Sequence, residues 1–390
     1  MDPITFSKAE IERYSRHLII PDFNIAGQRK LKAAKVLVVG SGGLGSPLLL
    51  YLAAAGVGTI GIVDYDRVEE TNLQRQVLFG GDSVGKSKVD EARQRIQSLN
   101  PHIDIRTYDT QLTSHNALEI IREYEVVADG TDNFPTRYLV NDACVLLGKV
   151  NVYASIFQFE GQVSVFNYTD AAGNTGPNYR DLFPTPPPPG LVPSCAEGGV
   201  IGVLPGIIGS LQALEIIKVI SGVGEPLSGR LFLFDALSFM NRTLKIRKDP
   251  RNPLTGDSPT QRELIDYEQF CGMGMEEKEA DYGKAVRSIT VEELASMRGK
   301  GQDFQLIDVR EPYEYEIVNL SGELIPQGEI LDRAGEIDRQ KPVILHCRTG
   351  VRSAKVLRKL ESEKGFTNLY NLVGGVTAYA KNIDPSLPVY

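Results

Sequence analysis

Between Val36 and Val63 the chain carries no charge and seven glycines. Such a run imitates a membrane span in apolarity, but its glycines divide it. Ala34–Gly40 is a β-branched apolar strand, Gly45–Gly56 a small-residue helix and Thr59–Asp64 a second apolar strand. Burial inside an α/β core accounts for the missing charge, and the membrane reading is rejected. The alternation continues with helices predicted over Lys86–Leu99, Asn116–Glu123 and Arg137–Leu147, and strands over Asp104–Tyr108 and Glu125–Asp129. Strands alternating with helices of this length predict a parallel sheet covered on both faces. Ahead of it, Ser7 and Glu10 have capping-box spacing and open a helix over Ser7–Arg16.

From Val150 the pattern changes. Strands are predicted at Val152–Ile156 and Gln162–Phe166, then a loop rich in proline (Pro184, Pro186–Pro189, Pro193). An apolar helix at Ile207–Ile220 and strands at Leu231–Asp235 and Thr243–Arg247 follow. Between Gly272 and Gly283 the chain is acidic and poor in aliphatics, the composition of a tether. A second alternation then begins, with helices at Val291–Met297 and Ser353–Lys359 and strands at Gln305–Val309, Val343–His346 and Asn368–Leu372. The expected organisation is an α/β domain over 1–271, a linker over 272–284 and a smaller α/β domain over 285–390.

Composition narrows the function classes. With 42% hydrophobic and 24% charged residues the 390-residue chain is globular, not disordered. A net charge of -8 argues against a nucleic-acid partner, although a local basic pocket for phosphate stays possible. Cys144, Cys195, Cys271 and Cys347 are widely spaced, which suits a reduced, cytoplasmic chain, and Met1–Ser7 lacks the pattern of a secretory signal.

Gly40-Ser-Gly42-Gly43-Leu-Gly45 lies between strand and helix, where glycines let backbone amides approach a phosphate. Asp64 ends the next strand, placed to accept hydrogen bonds from a ribose. These features indicate a nucleotide without separating NAD from ATP. Asn72-Leu-Gln-Arg75-Gln76, Lys86 and Lys88 add positive charge that hydride transfer does not need and cleavage of a triphosphate does. Asp129-Gly-Thr-Asp132-Asn133 follows the fourth strand, where a carboxylate can hold magnesium.

These segments, with Arg13-Tyr-Ser-Arg16 and Ser194-Cys195-Ala-Glu-Gly, resemble the MoeB/ThiF family over about residues 5–270. Its members are ubiquitin-activating-like enzymes that adenylate sulfur-carrier proteins. The resemblance implies a Rossmann-like nucleotide-binding domain with a mixed sheet, using ATP and magnesium. It implies a homodimer in which Arg16 reaches the partner's triphosphate. Asp64 would hold the ribose; Asn72, Arg75 and Lys88 the phosphates; Asp132 the magnesium. Gly40, Gly42, Gly43, Gly45, Asp66, Gln76 and Asn133 complete the implied nucleotide site, with Arg16 and Lys88 catalytic. The implied substrate is the C-terminal Gly-Gly carboxylate of a small ubiquitin-like, MoaD/ThiS-like carrier. One departure stands out. The family usually binds zinc through two Cys-x-x-Cys pairs, and Asn178, Asp181, Asn252 and Thr255 stand there instead. No zinc is expected, and hydrogen bonds and packing should replace it. Cys195, before a glycine-rich helix start, reads either as a buried inert thiol or as an assisting nucleophile.

The second site centres on Cys347-Arg348-Thr349-Gly350-Val351-Arg352-Ser353, between a strand and a helix. A loop of this kind can turn its amides inward around an anionic thiolate or persulfide, aided by two arginines. With Ile307-Asp308-Val-Arg310-Glu311 and Gly374-Gly375-Val-Thr-Ala-Tyr379 it resembles the rhodanese family over about 285–390. Cysteine phosphatases use a similar loop, usually one residue longer. His346 and Cys144 are expected in the core, and Cys271 has no assignment.

The fusion joins a domain that activates a carboxylate to one that offers a sulfur nucleophile. A tether of this length reaches on the order of 20 Å and raises the local concentration of the donor. The expected sequence is adenylation, attack by the Cys347 persulfide, and release of the thiocarboxylate by a second thiol such as Cys195. The sulfur donor would be thiosulfate or a cysteine desulfurase. The arrangement resembles fused sulfurtransferases of molybdenum-cofactor and tRNA-thiolation metabolism. Two alternatives stand beside it: an NAD-dependent oxidoreductase with a rhodanese appendage, and a docking protein whose rhodanese domain is not catalytic.

Overall fold

The computed structural model describes residues 4–188, 198–272 and 286–390. Cys195, the end of the proline-rich loop and all of the expected tether but Gly272 lie outside them. The chain divides into two compact units, 1–276 and 277–390.

In the first unit, α1 (Lys8–Leu18) begins at the expected box: Glu10 N donates to Ser7 Oγ at 3.2 Å and Ser7 N to Glu10 Oε2 at 2.8 Å. Then follow α2 (Asn24–Ala33), β1 (Lys35–Val39), α3 (Gly45–Ala55) and β2 (Thr59–Asp64). Next come α4 (Lys88–Leu99), β3 (Asp104–Asp109), α5 (Ala117–Arg122), β4 (Val126–Asp129) and α6 (Phe134–Leu147). The rest of the unit holds β5 (Val150–Phe157), β6 (Glu160–Phe166), α7 (Tyr179–Leu182), α8 (Leu204–Ser221), β7 (Arg230–Asp235), β8 (Met240–Lys245) and α9 (Tyr267–Phe270).

The eight strands lie in the order β3-β2-β1-β4-β5-β6-β7-β8, parallel as far as β5 and antiparallel beyond it. This is the mixed sheet expected. Val36 and Val38 of β1 face a core shared with α3, α4 and α8, whereas Leu37 and Val39 face one shared with α5 and α6. Both faces are apolar, which is why no charge interrupts the strand after Lys35 at its start. Strand order reverses between β1 and β4, and a crevice opens at their carboxyl ends. Helix α8 is long and apolar enough to cross a membrane, but half of it is buried, with Ile208, Ala213 and Ile216 in the cores beneath the sheet.

The second unit contains β9 (Ser288–Ile289), α10 (Val291–Gly299), β10 (Gln305–Asp308), α11 (Pro312–Ile317), β11 (Glu323–Leu324), β12 (Val343–His346), α12 (Val351–Lys364), β13 (Leu369–Leu372) and α13 (Gly375–Asn382). Its strands pair in parallel in the order β11-β10-β12-β13-β9. Val356, Leu357 and Leu360 of α12 pack on one face, and Val291, Leu294 and Val376 on the other.

Candidate functional site

The glycine-rich turn lies at the crevice between β1 and β4. Gly40 has φ +90, and a Cβ there would stand 3.0 Å from the Gly130 oxygen. A Cβ on Gly45 would come 2.1 Å from the Gly40 oxygen, so the turn closes only around a bare backbone. Helix α3 has no side-chain cap, which leaves its N-terminal dipole facing the turn. Gly40, Gly42 and Gly43 line the resulting cavity; Gly45, expected with them, does not.

Asp64 fastens the turn to β2. Its Oδ2 accepts from Ser41 N at 2.8 Å and Ser41 Oγ at 2.7 Å, and its Oδ1 accepts from Asp66 N at 3.0 Å. Lys88, 5% exposed, lines the cavity and donates to Asp66 Oδ2 at 2.8 Å. Arg75 and Gln76 enter from the neighbouring loop. Buried Gln76 has no hydrogen-bond partner for its Oε1 among the described residues, a polar group facing a polar ligand's place. Exposed Asp132 and half-buried Asn133 close the other side, although Asn133 Oδ1 is engaged by Thr136 N at 3.0 Å as the cap of α6.

One residue expected at the phosphates lies elsewhere. Asn72 is buried outside the cavity lining; its Oδ1 accepts from Glu69 N at 3.2 Å, and its carbonyl accepts from Arg75 N and Gln76 N. It shapes the turn that presents Arg75 and Gln76. Arg16 is exposed on α1 and does not line the cavity of its own chain. Sequence reasoning also missed lining residues. Arg137, buried on α6, donates to the Thr131 carbonyl at 3.1 Å, and Thr110–Leu112 follow β3. Arg137 could have been noticed as a charge inside the otherwise buried run of α6; the segment after β3 had no local signal.

The residues at the four expected zinc positions bond to one another. Asn178 Nδ2 donates to Thr255 Oγ1 at 2.9 Å, while Asn252 Nδ2 donates to Asp181 Oδ1 at 2.7 Å and to Asn178 Oδ1 at 3.2 Å. Asn178 N donates to Asp181 Oδ2 at 2.7 Å. Amide donors turned inward, with neither thiolate nor imidazole, do not fit a zinc ion. Beneath this knot Arg180 grips Asp142 through Nε at 2.9 Å and Nη2 at 2.7 Å, and Tyr267 Oη and Gln261 Nε2 each donate to Asp142 at 2.8 Å.

In the second unit, Cys347 follows β12 and is buried at the head of its loop. Gly350 N donates to its Sγ at 3.1 Å. Gly350 has φ +94, and a Cβ would stand 2.9 Å from the Leu372 oxygen. Ser353 Oγ lies 3.5 Å from Sγ and 2.7 Å from Asn371 Oδ1. Thr349 and Val351 are exposed at the rim. Each arginine of the loop is also engaged by another side chain. Arg352 forms a bidentate pair with buried Glu314 at 2.7 and 2.5 Å, and the Arg348 guanidinium lies 5.0 Å from the Tyr390 ring centre. Burial pulls His346 down to about 4, so it is a neutral core residue beside Asp308.

A doubly wound nucleotide unit, followed by a unit that presents a cysteine at the head of an anion-cradling loop, defines a nucleotide-binding protein fused to a sulfurtransferase fold. The model of the ThiF family matches residues 14–254 and that of the rhodanese-like domain residues 290–382. The chain belongs to the ThiF family and carries a rhodanese-like domain. It is 50% identical over 389 residues to the "Probable adenylyltransferase/sulfurtransferase MoeZ" of Mycobacterium tuberculosis, covering 98% of this chain and 96% of that one. It is 56% identical over 268 residues to the sulfur carrier protein adenylyltransferase of Thermus thermophilus, covering 69% of this chain and 99% of that one. The crystal structure of E. coli MccB with ATP shares the fold at a TM-score of 0.53 and 24% identity, over 63% of this chain and 73% of that one. These relatives do not favour the oxidoreductase alternative.

Proposed function

We propose that this chain adenylates the C-terminal Gly-Gly carboxylate of a small ubiquitin-like sulfur carrier and converts it to a thiocarboxylate with sulfur held on Cys347. The observation that carries the reading is the convergence of Lys88, Arg75 and Gln76 with Asp64 and Asp132 on one cavity at the turn. The relatives described as adenylyltransferases support the use of ATP.

A carrier carboxylate oxygen attacks the α-phosphorus of ATP; the bond to the β-phosphate breaks and pyrophosphate leaves. Arg75 and Lys88 offset the charge that gathers on the phosphates, and Asp64 orients the ribose. Asp132, at the edge of the cavity, would hold a magnesium ion, which would supply further charge neutralisation. Arg16, outside its own cavity, acts in the site of a second copy, which makes the enzyme a homodimer. The terminal sulfur of a Cys347 persulfide then attacks the acyl carbon, and AMP leaves with the electron pair. A second thiolate, assigned to Cys195, attacks Cys347 Sγ, the S–S bond breaks, and its electron pair departs on the thiocarboxylate. The disulfide that remains is reduced by an external dithiol. Thiosulfate or a cysteine desulfurase reloads Cys347, residues 272–284 tether the two activities in the cytoplasm, and no zinc takes part.

The test is mass spectrometry of a Gly-Gly carrier incubated with the chain, ATP, magnesium and thiosulfate. Replacement of one terminal oxygen by sulfur is expected; an unchanged carrier alongside active controls would refute the reading.

A further inference from the structure

Tyr390 touches the Cys347 loop in two ways. Its hydroxyl accepts a hydrogen bond from Arg310 Nη1 at 2.7 Å and donates one to Glu314 Oε1 at 3.2 Å. Glu314 is the carboxylate that grips Arg352 with both oxygens. Its ring meanwhile carries the Arg348 guanidinium 5.0 Å from its centre. Arg310 is fully buried and bound to Asp308, whose Oδ2 lies 2.6 Å from Arg310 Nη2, so the hydroxyl is anchored to a rigid point of the core. One side chain thus restrains both arginines of the loop, one through its ring and the other through Glu314.

We propose that Tyr390 is a positioning residue of the sulfur site, holding Arg348 and Arg352 beside Cys347 so that the loop favours an anionic sulfur donor. A guanidinium on a long stem loses its directing effect when it samples many rotamers; a fixed one keeps its charge at the loop. Ring and hydroxyl contribute separately, because the ring meets Arg348 whereas the hydroxyl meets Glu314. The inference rests on the reading of Cys347 as the sulfur-bearing nucleophile.

The test compares the full chain with Tyr390→Ala and Tyr390→Phe, using anionic iodoacetate and neutral iodoacetamide as probes. Alkylation of the Cys347 peptide is followed by mass spectrometry. Tyr390→Ala should lower the ratio of iodoacetate to iodoacetamide rates by about threefold to tenfold. Tyr390→Phe, which keeps the ring, should lower it less. Should Tyr390→Ala fail to fold, Tyr390→Leu retains bulk while removing both the ring and the hydroxyl. A purely structural role would change both rates together, and an unchanged ratio overturns the proposal. With thiosulfate as donor and cyanide as acceptor, the same variant should raise KM by a similar factor and change kcat by less than about twofold. Failure of the unaltered chain to transfer sulfur would refute the Cys347 reading, and the alkylation ratio would still decide the role of Tyr390.

Discussion

At Gly45 the backbone leaves no room for a side chain, because an added Cβ would meet the Gly40 carbonyl at 2.1 Å. Gly45→Ala should therefore spread the turn and weaken ATP binding, read by calorimetric titration, although Gly45 does not line the cavity. Lys88 is a different case: a buried side chain whose Nζ pairs with Asp66 Oδ2 at 2.8 Å. Lys88→Gln should lower carrier-dependent pyrophosphate exchange by about a hundredfold or more, since a charge facing the phosphates is lost. His346 gives a prediction about pH. The folded ring stays neutral down to about 4, whereas the unfolded ring takes up a proton near pH 6.5. Below that point the unfolded state binds more protons, so stability falls as pH falls. Between pH 7 and 5 the loss from this group is about 2 kcal/mol. The urea midpoint at which Cys347 becomes open to a thiol reagent measures it, and His346→Asn should flatten the dependence.

Among the elements, the junction of α6, α7 and the segment 249–261 is held by hydrogen bonds and one buried ion pair, where relatives are expected to use zinc. Asp142→Ala leaves Arg180 buried without its carboxylate and should cost about 3–5 kcal/mol. A chelator should leave the melting temperature unchanged, and a fall would show that metal supports this junction after all. Most other elements were legible because apolar periodicity is local. Thr59–Asp64 was expected with the bounds observed, and α3 differs from its expectation by one residue. Helix α2 was not anticipated. It opens with Asn24, whose Oδ1 accepts from Ala26 N at 2.8 Å, and it carries Gly27 where the Phe23 ring leaves no space for a Cβ. Neither feature resembles a capping box followed by an apolar stripe. Strand β8 begins three residues before the expected Thr243, since every residue of this edge strand is exposed and no buried face marks its start. The two-residue strands β9 and β11 are too short for any period to register.

For the molecule as a whole, the two chemistries occupy separate compact units. The glycine turn and the Cys347 loop were readable because each is a contiguous segment bounded by strand and helix. The Tyr390 contacts and the lining after β3 were not, because they depend on residues brought together by topology across long stretches of chain. Separate units predict separable losses. Cys347→Ser should abolish sulfur transfer while leaving adenylation intact, and Lys88→Gln should do the reverse when thiosulfate and cyanide are supplied. The most direct measurement of the central claim is exchange of labelled pyrophosphate into ATP in the presence of a carrier ending in Gly-Gly. The account predicts exchange that requires the carrier, survives Cys347→Ser and collapses in Lys88→Gln. A properly folded chain that binds no ATP, or exchanges no pyrophosphate with any Gly-Gly carrier, would contradict it.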